Sequence, residues 1–293
     1  MVQCQFRLGT IKTYAAGTRK FIKFCNYLGV DPFTAVEEHV LAKAAILFCH
    51  GCSVNSLDSW MTAVSSFQKG LGHPDLPRLE LYHATRAGLF HIYGQVDTVT
   101  PATAVDWADI KLLYESLDFS CIVDVRFWCA TILGFQGLFR AGEIGRVRLS
   151  EIVITDDALR VTIAFSKKDP HPVPVTMVAR GDWACPVVAF RLLRRCLARA
   201  GEQVPFPLSY SAFNVSLQKR CRAAGISKEG ISSHSLRRGG TTQLALAGVP
   251  ESFIQAHGRW ASLEYRRYIN FLDSALQRRP TAMLLAAQLA AEA

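Results

Sequence analysis

The sequence predicts a mainly α fold with a small antiparallel β-sheet, and three observations carry that reading. Apolar residues recur at helical spacing in four runs before residue 95. A polar, threonine-rich stretch broken by Pro101 follows, and beyond it three short β-like runs lie between further helical ones. The expected organisation is a helical N-terminal domain over residues 1–95, a linker over 96–104, and an α+β domain over 105–293 that closes with a helix.

The first run, "TIKTYAAGTRKFIKFCNYLGV", sets Ile11, Tyr14, Phe21, Phe24, Cys25 and Leu28 on one stripe and leaves Lys12, Arg19, Lys20 and Lys23 off it. Such a pattern describes an amphipathic helix with a basic flank. Further helices are expected in "VEEHVLAKAAILFCHG", "SLDSWMTAVSSFQKGLG" and "RLELYHATRAGLFHIYG". Cys49 and Cys52 in "FCHGCS" have the spacing of a zinc or redox pair, but no second pair accompanies them, so they read as small buried residues.

The second domain opens with helices. The runs "EIVIT", "ALRVTIAFS" and "HPVPVTMVA", separated by "DD" and "KKDP", then suggest a three-stranded sheet. Helices resume at "PVVAFRLLRRCLARAG", and Pro280 suits the first turn of the closing "PTAMLLAAQLAAEA".

Half of the 293 residues are apolar, enough for a substantial core. The net charge of +9 and pI near 9.2 point to an anionic partner, nucleic acid first. About +2 of that charge falls in residues 1–100 and about +7 beyond them. No apolar run reaches the roughly 18 residues of a membrane span, and the start "MVQCQFRLGTIKTY" lacks a signal peptide's apolar core. Nine cysteines, an odd number, fit reduced thiols better than a disulfide framework, so an intracellular protein with no membrane partner is expected.

Three separated segments carry charge that burial would make expensive. In "GFQGLFRAGEIGRVRL", Arg140 precedes Glu143 by three residues on one helical face, which taken alone describes an ion pair. In "IAFSKKDPHPV", Lys167 and Lys168 stand at the expected hairpin tip, where a charged turn is the plain reading. In "ISSHSLRRGG", His234 and Arg237 project from one side of a helix that Ser232 or Ser233 would cap. Together these types suit a phosphodiester under attack: guanidinium forks hold the non-bridging oxygens, histidine takes a proton, and lysine delivers one to the departing oxygen. Downstream, "GRWASLEYRRYINFLDS" offers two phenols as nucleophile, Tyr265 and Tyr268.

The boxes "LFRAGEIGRVRLSEI", "SHSLRRGG", "GRW" and "YINFLDS", in this order, resemble those of the tyrosine recombinase (phage integrase) family over roughly residues 105–280. The resemblance implies a helical core-binding domain that clamps DNA, followed by a tyrosine recombinase catalytic domain. It further implies that Arg140 and Arg237 hold the scissile phosphate and that His234 is the acid/base partner of the nucleophile. Lys167 becomes the general acid, and Trp260 packs against and hydrogen-bonds the phosphate. Tyr268, chosen over Tyr265 on the matching "YINFLDS", forms a 3′-phosphotyrosyl bond, and Glu143 supports the site. Lys168 and His257 are the alternatives for the roles of Lys167 and Trp260. DNA contacts are expected from Lys12, Arg19, Lys20, Lys23, Arg238 and Arg259, while Gly239 and Gly240 would admit DNA or a neighbouring helix.

On that reading the chain recombines DNA at specific sites, using neither ATP nor a metal and holding no cofactor. Its partners are double-stranded DNA and further copies of itself, a tetrameric synapse on DNA with a monomer or dimer off it. It would reside with DNA, in a nucleus or in a nucleoid and cytoplasm according to the host. A type IB topoisomerase-like enzyme and a non-cutting DNA-binding protein derived from a mobile element are the competing readings.

Overall fold

A computed structural model of the chain describes residues 8–73, 80–93, 103–164, 171–207 and 209–266. The chain forms two compact units, residues 1–100 and 101–293.

Among the described residues, unit one holds α1 (Leu8–Leu28), α2 (Glu37–Cys49), α3 (Val54–Gly70) and α4 (Glu80–Tyr93). Phe21 and Cys25 of α1 meet Val40 and Ala44 of α2 and Leu57, Trp60, Met61 and Val64 of α3 in a core of their own. The α1–α3 crossing is close because Gly17 lies under Trp60, whose indole N–H donates to the Gly17 carbonyl at 3.1 Å. A Cβ at Gly17 would stand 2.8 Å from that of Ala63. The apolar stripe of α1 is buried only at its centre. Ile11 and Leu28, expected inside, are exposed. Lys12, Arg19, Lys20 and Lys23 are all exposed. Cys49, expected to be buried, is exposed at the C-terminal end of α2, and Cys52 is half-buried in the turn that follows.

Unit two contains α5 (Trp107–Glu115), α6 (Ile122–Phe135), α7 (Ala141–Ile144), a sheet of β1 (Ile152–Ile154), β2 (Ala158–Ile163) and β3 (Val173–Val178), then α8 (Pro186–Ala200), α9 (Tyr210–Ala223), α10 (Ser233–Leu246) and α11 (Glu251–Gly258). The strands run antiparallel in the order β1-β2-β3, with Val161 opposite both Ile152 and Val175. Alternation puts Leu159, Val161, Ile163, Val175 and Met177 on one face, where α8 packs with Phe190 and Leu193. Pro186 opens α8 and Gly201, left-handed at φ 66°, ends it.

Helix α6 is apolar nearly all round and is buried from Val125 to Phe135, with α8 and α10 packed against it. Gly239 and Gly240 make the α10 approach feasible. A Cβ on Gly239 would stand 1.9 Å from the Val105 carbonyl oxygen, and one on Gly240 1.8 Å from that of Phe135. Gly240 meets the neighbouring helix α6, and Gly239 meets the backbone that leads into α5.

Of the expected linker, residues 96–102 lie outside the described residues, whereas Thr103 and Ala104 are already bound into unit two. Thr103 Oγ1 donates to the Glu229 carbonyl at 2.5 Å, and Lys228 Nζ lies 3.5 Å from that of Ala104. Lys228 also holds Asp106, at 2.8 Å, and Asp109. The Val105 N–H donates to the Ser235 carbonyl at 3.4 Å, so this strap runs along the first turn of α10.

Candidate active site

The site is assembled where the chain leaves α6. Residues 136–140 turn sharply, with Leu138 left-handed at φ 52°, and deliver Arg140 to the N-terminus of α7. The Arg140 N–H donates to Glu143 Oε2 at 2.9 Å and its Nη1 to Oε1 at 2.8 Å, so Glu143 fixes both ends of the arginine. The Arg140 side chain keeps some exposure, while Glu143 is buried.

Helix α10 brings the second arginine. His234 and Arg237 lie three residues apart on its first turns, His234 exposed and Arg237 2% exposed. Arg237 Nη1 donates to the Leu138 carbonyl and Nη2 to the Gly258 carbonyl at 2.6 Å. Its guanidinium stacks on the Trp260 ring, 4.0 Å from the centroid. Partial loss of water around His234 lowers its pKa from the usual value, and the charges of Arg237 and Arg140 lower it further. A neutral imidazole beside two guanidinium groups is suited to accept a proton.

The segment "GRW" completes the arrangement by side chains that point to different tasks. Gly258 leaves room for the indole, since a Cβ there would fall 1.5 Å from the Trp260 ring. Arg259, left-handed at φ 59°, turns inward and donates from Nη2 to Glu143 Oε2 at 2.9 Å and to the Leu138 carbonyl at 2.9 Å. Its Nη1 reaches the Gly137 and His257 carbonyls at 3.2 and 3.1 Å, and its guanidinium lies 4.9 Å from the Phe139 ring centroid. Burial alone would raise the Glu143 carboxyl, but Arg259, the Arg140 N–H and the Arg140 guanidinium together hold it below the ordinary value.

The Arg259 side chain is 5% exposed and paired with Glu143. Arg238 is buried as well. His257 Nε2 donates to the Gln136 carbonyl at 2.8 Å, and its ring stacks on Phe253 rather than on Arg237. Tyr265 is buried in a cluster with Leu138, Ile254 and Trp260, and its hydroxyl donates to Glu251 Oε2 at 2.8 Å. Lys167, Lys168 and Tyr268 lie outside the described residues, as does the expected C-terminal helix. Ala164, at the end of β2, shares a groove of about 380 Å³ with Glu143, Arg148 and Thr162. The site also uses the Leu138 carbonyl, which residue types alone do not reveal, because a left-handed leucine has no sequence signal.

Comparison with known proteins adds a family and a fold. The family model described as the phage integrase family matches residues 108–273. An integrase/recombinase XerD homolog of Selenomonas ruminantium is 23% identical over 290 residues, covering 92% of this chain and 84% of its own length. Among solved structures, the XerH site-specific recombinase bound to its difH substrate in a pre-cleavage complex shares the fold, with a TM-score of 0.63 at 14% identity over 90% of this chain and 77% of that one. A lambda integrase tetramer bound to a Holliday junction also scores 0.63, at 16% identity over 91% of this chain and 73% of that one.

Proposed function

Because the chain belongs to the phage integrase family, we propose that it is a site-specific DNA recombinase that cuts and rejoins strands through a 3′-phosphotyrosyl bond on Tyr268. The observation that carries this reading is that Arg237, held by the Leu138 and Gly258 carbonyls and stacked on Trp260, lies with Arg140 close enough to His234 for both charges to depress its pKa.

In the proposed reaction the Tyr268 oxygen attacks the phosphorus in line, and the phenol proton passes to His234. The bond from phosphorus to the 5′ oxygen breaks, and Lys167 protonates that oxygen. Arg140 and Arg237 neutralise the charge that develops on the non-bridging oxygens. One phosphodiester is exchanged for another of similar free energy, so the step draws on no ATP and a 5′ hydroxyl from a second strand can reverse it. The lysine assignment is supported by β2, which ends four residues before Lys167 at the groove shared with Glu143. Burial of Tyr265 supports Tyr268 by elimination. Exposed Lys12, Arg19, Lys20 and Lys23 on α1 would bind DNA phosphates. Several copies would act together on two duplexes, as the lambda integrase tetramer does on a Holliday junction.

The test is a library of nicked duplexes with randomised cores, incubated with the protein and screened for adducts that survive denaturing gels. Wild type should form an adduct and Tyr268→Phe should not. An adduct persisting in Tyr268→Phe would refute the nucleophile.

A further inference from the structure

Arg259 was expected on the DNA surface and lies inside the site instead. Its side chain is 5% exposed and donates to the Gly137, Leu138 and His257 carbonyls as well as to Glu143. Two of these acceptors have second partners that matter: Glu143 also binds Arg140, and the Leu138 carbonyl also binds Arg237. Arg259 therefore touches, through one intermediary each, both guanidinium groups assigned to the phosphate. Its own backbone is left-handed, a conformation that non-glycine residues rarely hold unless their surroundings enforce it.

We infer that Arg259 is a positioning residue of the recombination reaction, which sets Arg140 through Glu143 and Arg237 through the Leu138 carbonyl, and that it contacts no DNA. The inference rests on the recombinase reading. Glu143 alone would be a buried carboxylate serving one arginine. With Arg259 on its second oxygen it becomes the centre of a row of alternating charge, Arg140, Glu143, Arg259. Oε2 also accepts the Arg140 N–H, so what Arg259 adds there is charge, and a buried carboxylate stripped of a charged partner is left under-compensated and takes up a proton more readily. The planar fork is needed because Nη2 serves Glu143 and Leu138 together while Nη1 reaches two further carbonyls, a division that a single ammonium cannot reproduce.

The experiment measures DNA affinity against salt and single-turnover cleavage at saturating DNA, for wild type, Arg259→Met and Arg259→Lys. Arg259→Met should lose about 100-fold in cleavage, the scale of a small misplacement of catalytic groups, while the slope of log affinity against log salt stays at the wild-type value. Arg259→Lys keeps a charge beside Glu143, so it should fold as wild type and lose less. With its main counter-charge removed, Glu143 protonates at higher pH, so the acid limb of the cleavage profile steepens in Arg259→Met relative to wild type, a change that a purely structural defect would not create. In a Glu143→Gln background the further loss from Arg259→Met should be small, because both changes break the same row.

A salt slope reduced by about one with wild-type cleavage at saturating DNA would make Arg259 a phosphate contact and overturn the proposal. Multiplicative losses from Glu143→Gln and Arg259→Met would overturn it as well. If wild type itself cleaves nothing, the recombinase reading fails and takes this role with it, whereas wild-type cleavage matched by Arg259→Met removes the role alone.

Discussion

Arg237, on the second turn of α10, and Arg259, just past the end of α11, donate to the same backbone carbonyl, that of Leu138. A carbonyl oxygen has two lone pairs, and both are used here by guanidinium groups. The left-handed turn at Leu138 puts that oxygen within reach of both arginines while its side chain stays in the cluster with Ile254, Trp260 and Tyr265.

Gly258 should tolerate no side chain. Gly258→Ala places a Cβ inside the Trp260 ring, so the indole must leave and the stack on Arg237 goes with it. Overpacking of this kind costs about 1–3 kcal/mol. A lowered Tm together with lost cleavage at saturating DNA is the expected outcome, and DNA affinity at low salt should change little.

The pH dependence of cleavage should report His234. Its lowered pKa keeps the ring neutral through neutral pH, and cleavage should fall as pH drops through that lowered value, below about 6.5. Folding stability moves in the same direction, since the unfolded chain takes up the proton first as pH falls below about 6.5. Arg140→Gln removes one of the charges that depress the pKa. An NMR titration of the His234 ring should then show its midpoint moved upward, and an unmoved midpoint would deny that Arg140 acts on it.

Tyr265→Phe should leave the covalent adduct intact. The change removes one hydrogen bond to Glu251 and keeps the ring against Trp260. A stability loss of about 0.5–1.5 kcal/mol is expected in urea titrations. Loss of the adduct without loss of stability would reopen Tyr265 as nucleophile.

The strap along α10 should depend on Lys228. Lys228→Met leaves Asp109 buried without its cation, at a cost of about 1–3 kcal/mol, and Asp109→Asn in the same chain should recover part of that loss. Burial pushes the Asp106 carboxyl up, but hydrogen bonds from Lys228 and the Asp109 N–H and the Lys228 charge hold it below its usual value, while Lys228 is held above its own. The pair's stabilisation is therefore present above about pH 4, is lost as pH falls through the depressed carboxylate value, and fades again only above about pH 10.4. Urea midpoints of wild type and Lys228→Met should converge in acid.

The sequence by itself determined what lies on one helix or one strand. The three-residue step from His234 to Arg237, the alternation of β2 and β3, and the helical period centred on Phe21 and Cys25 are local, and local geometry follows from bond angles and side-chain spacing. Tertiary structure decided what each face meets. Arg259 reads as a surface charge until Glu143 and the turn at Leu138 take it in, and Gly239 and Gly240 read as room for DNA or a helix until the carbonyls of Val105 and Phe135 fill it. Cys49 and Ile11 read as core, and packing leaves both exposed. Period and spacing specify a side chain's direction from its own axis, but partners about 100 residues away, such as Glu143 for Arg259 and Leu138 for Arg237, come within reach only when the whole unit packs.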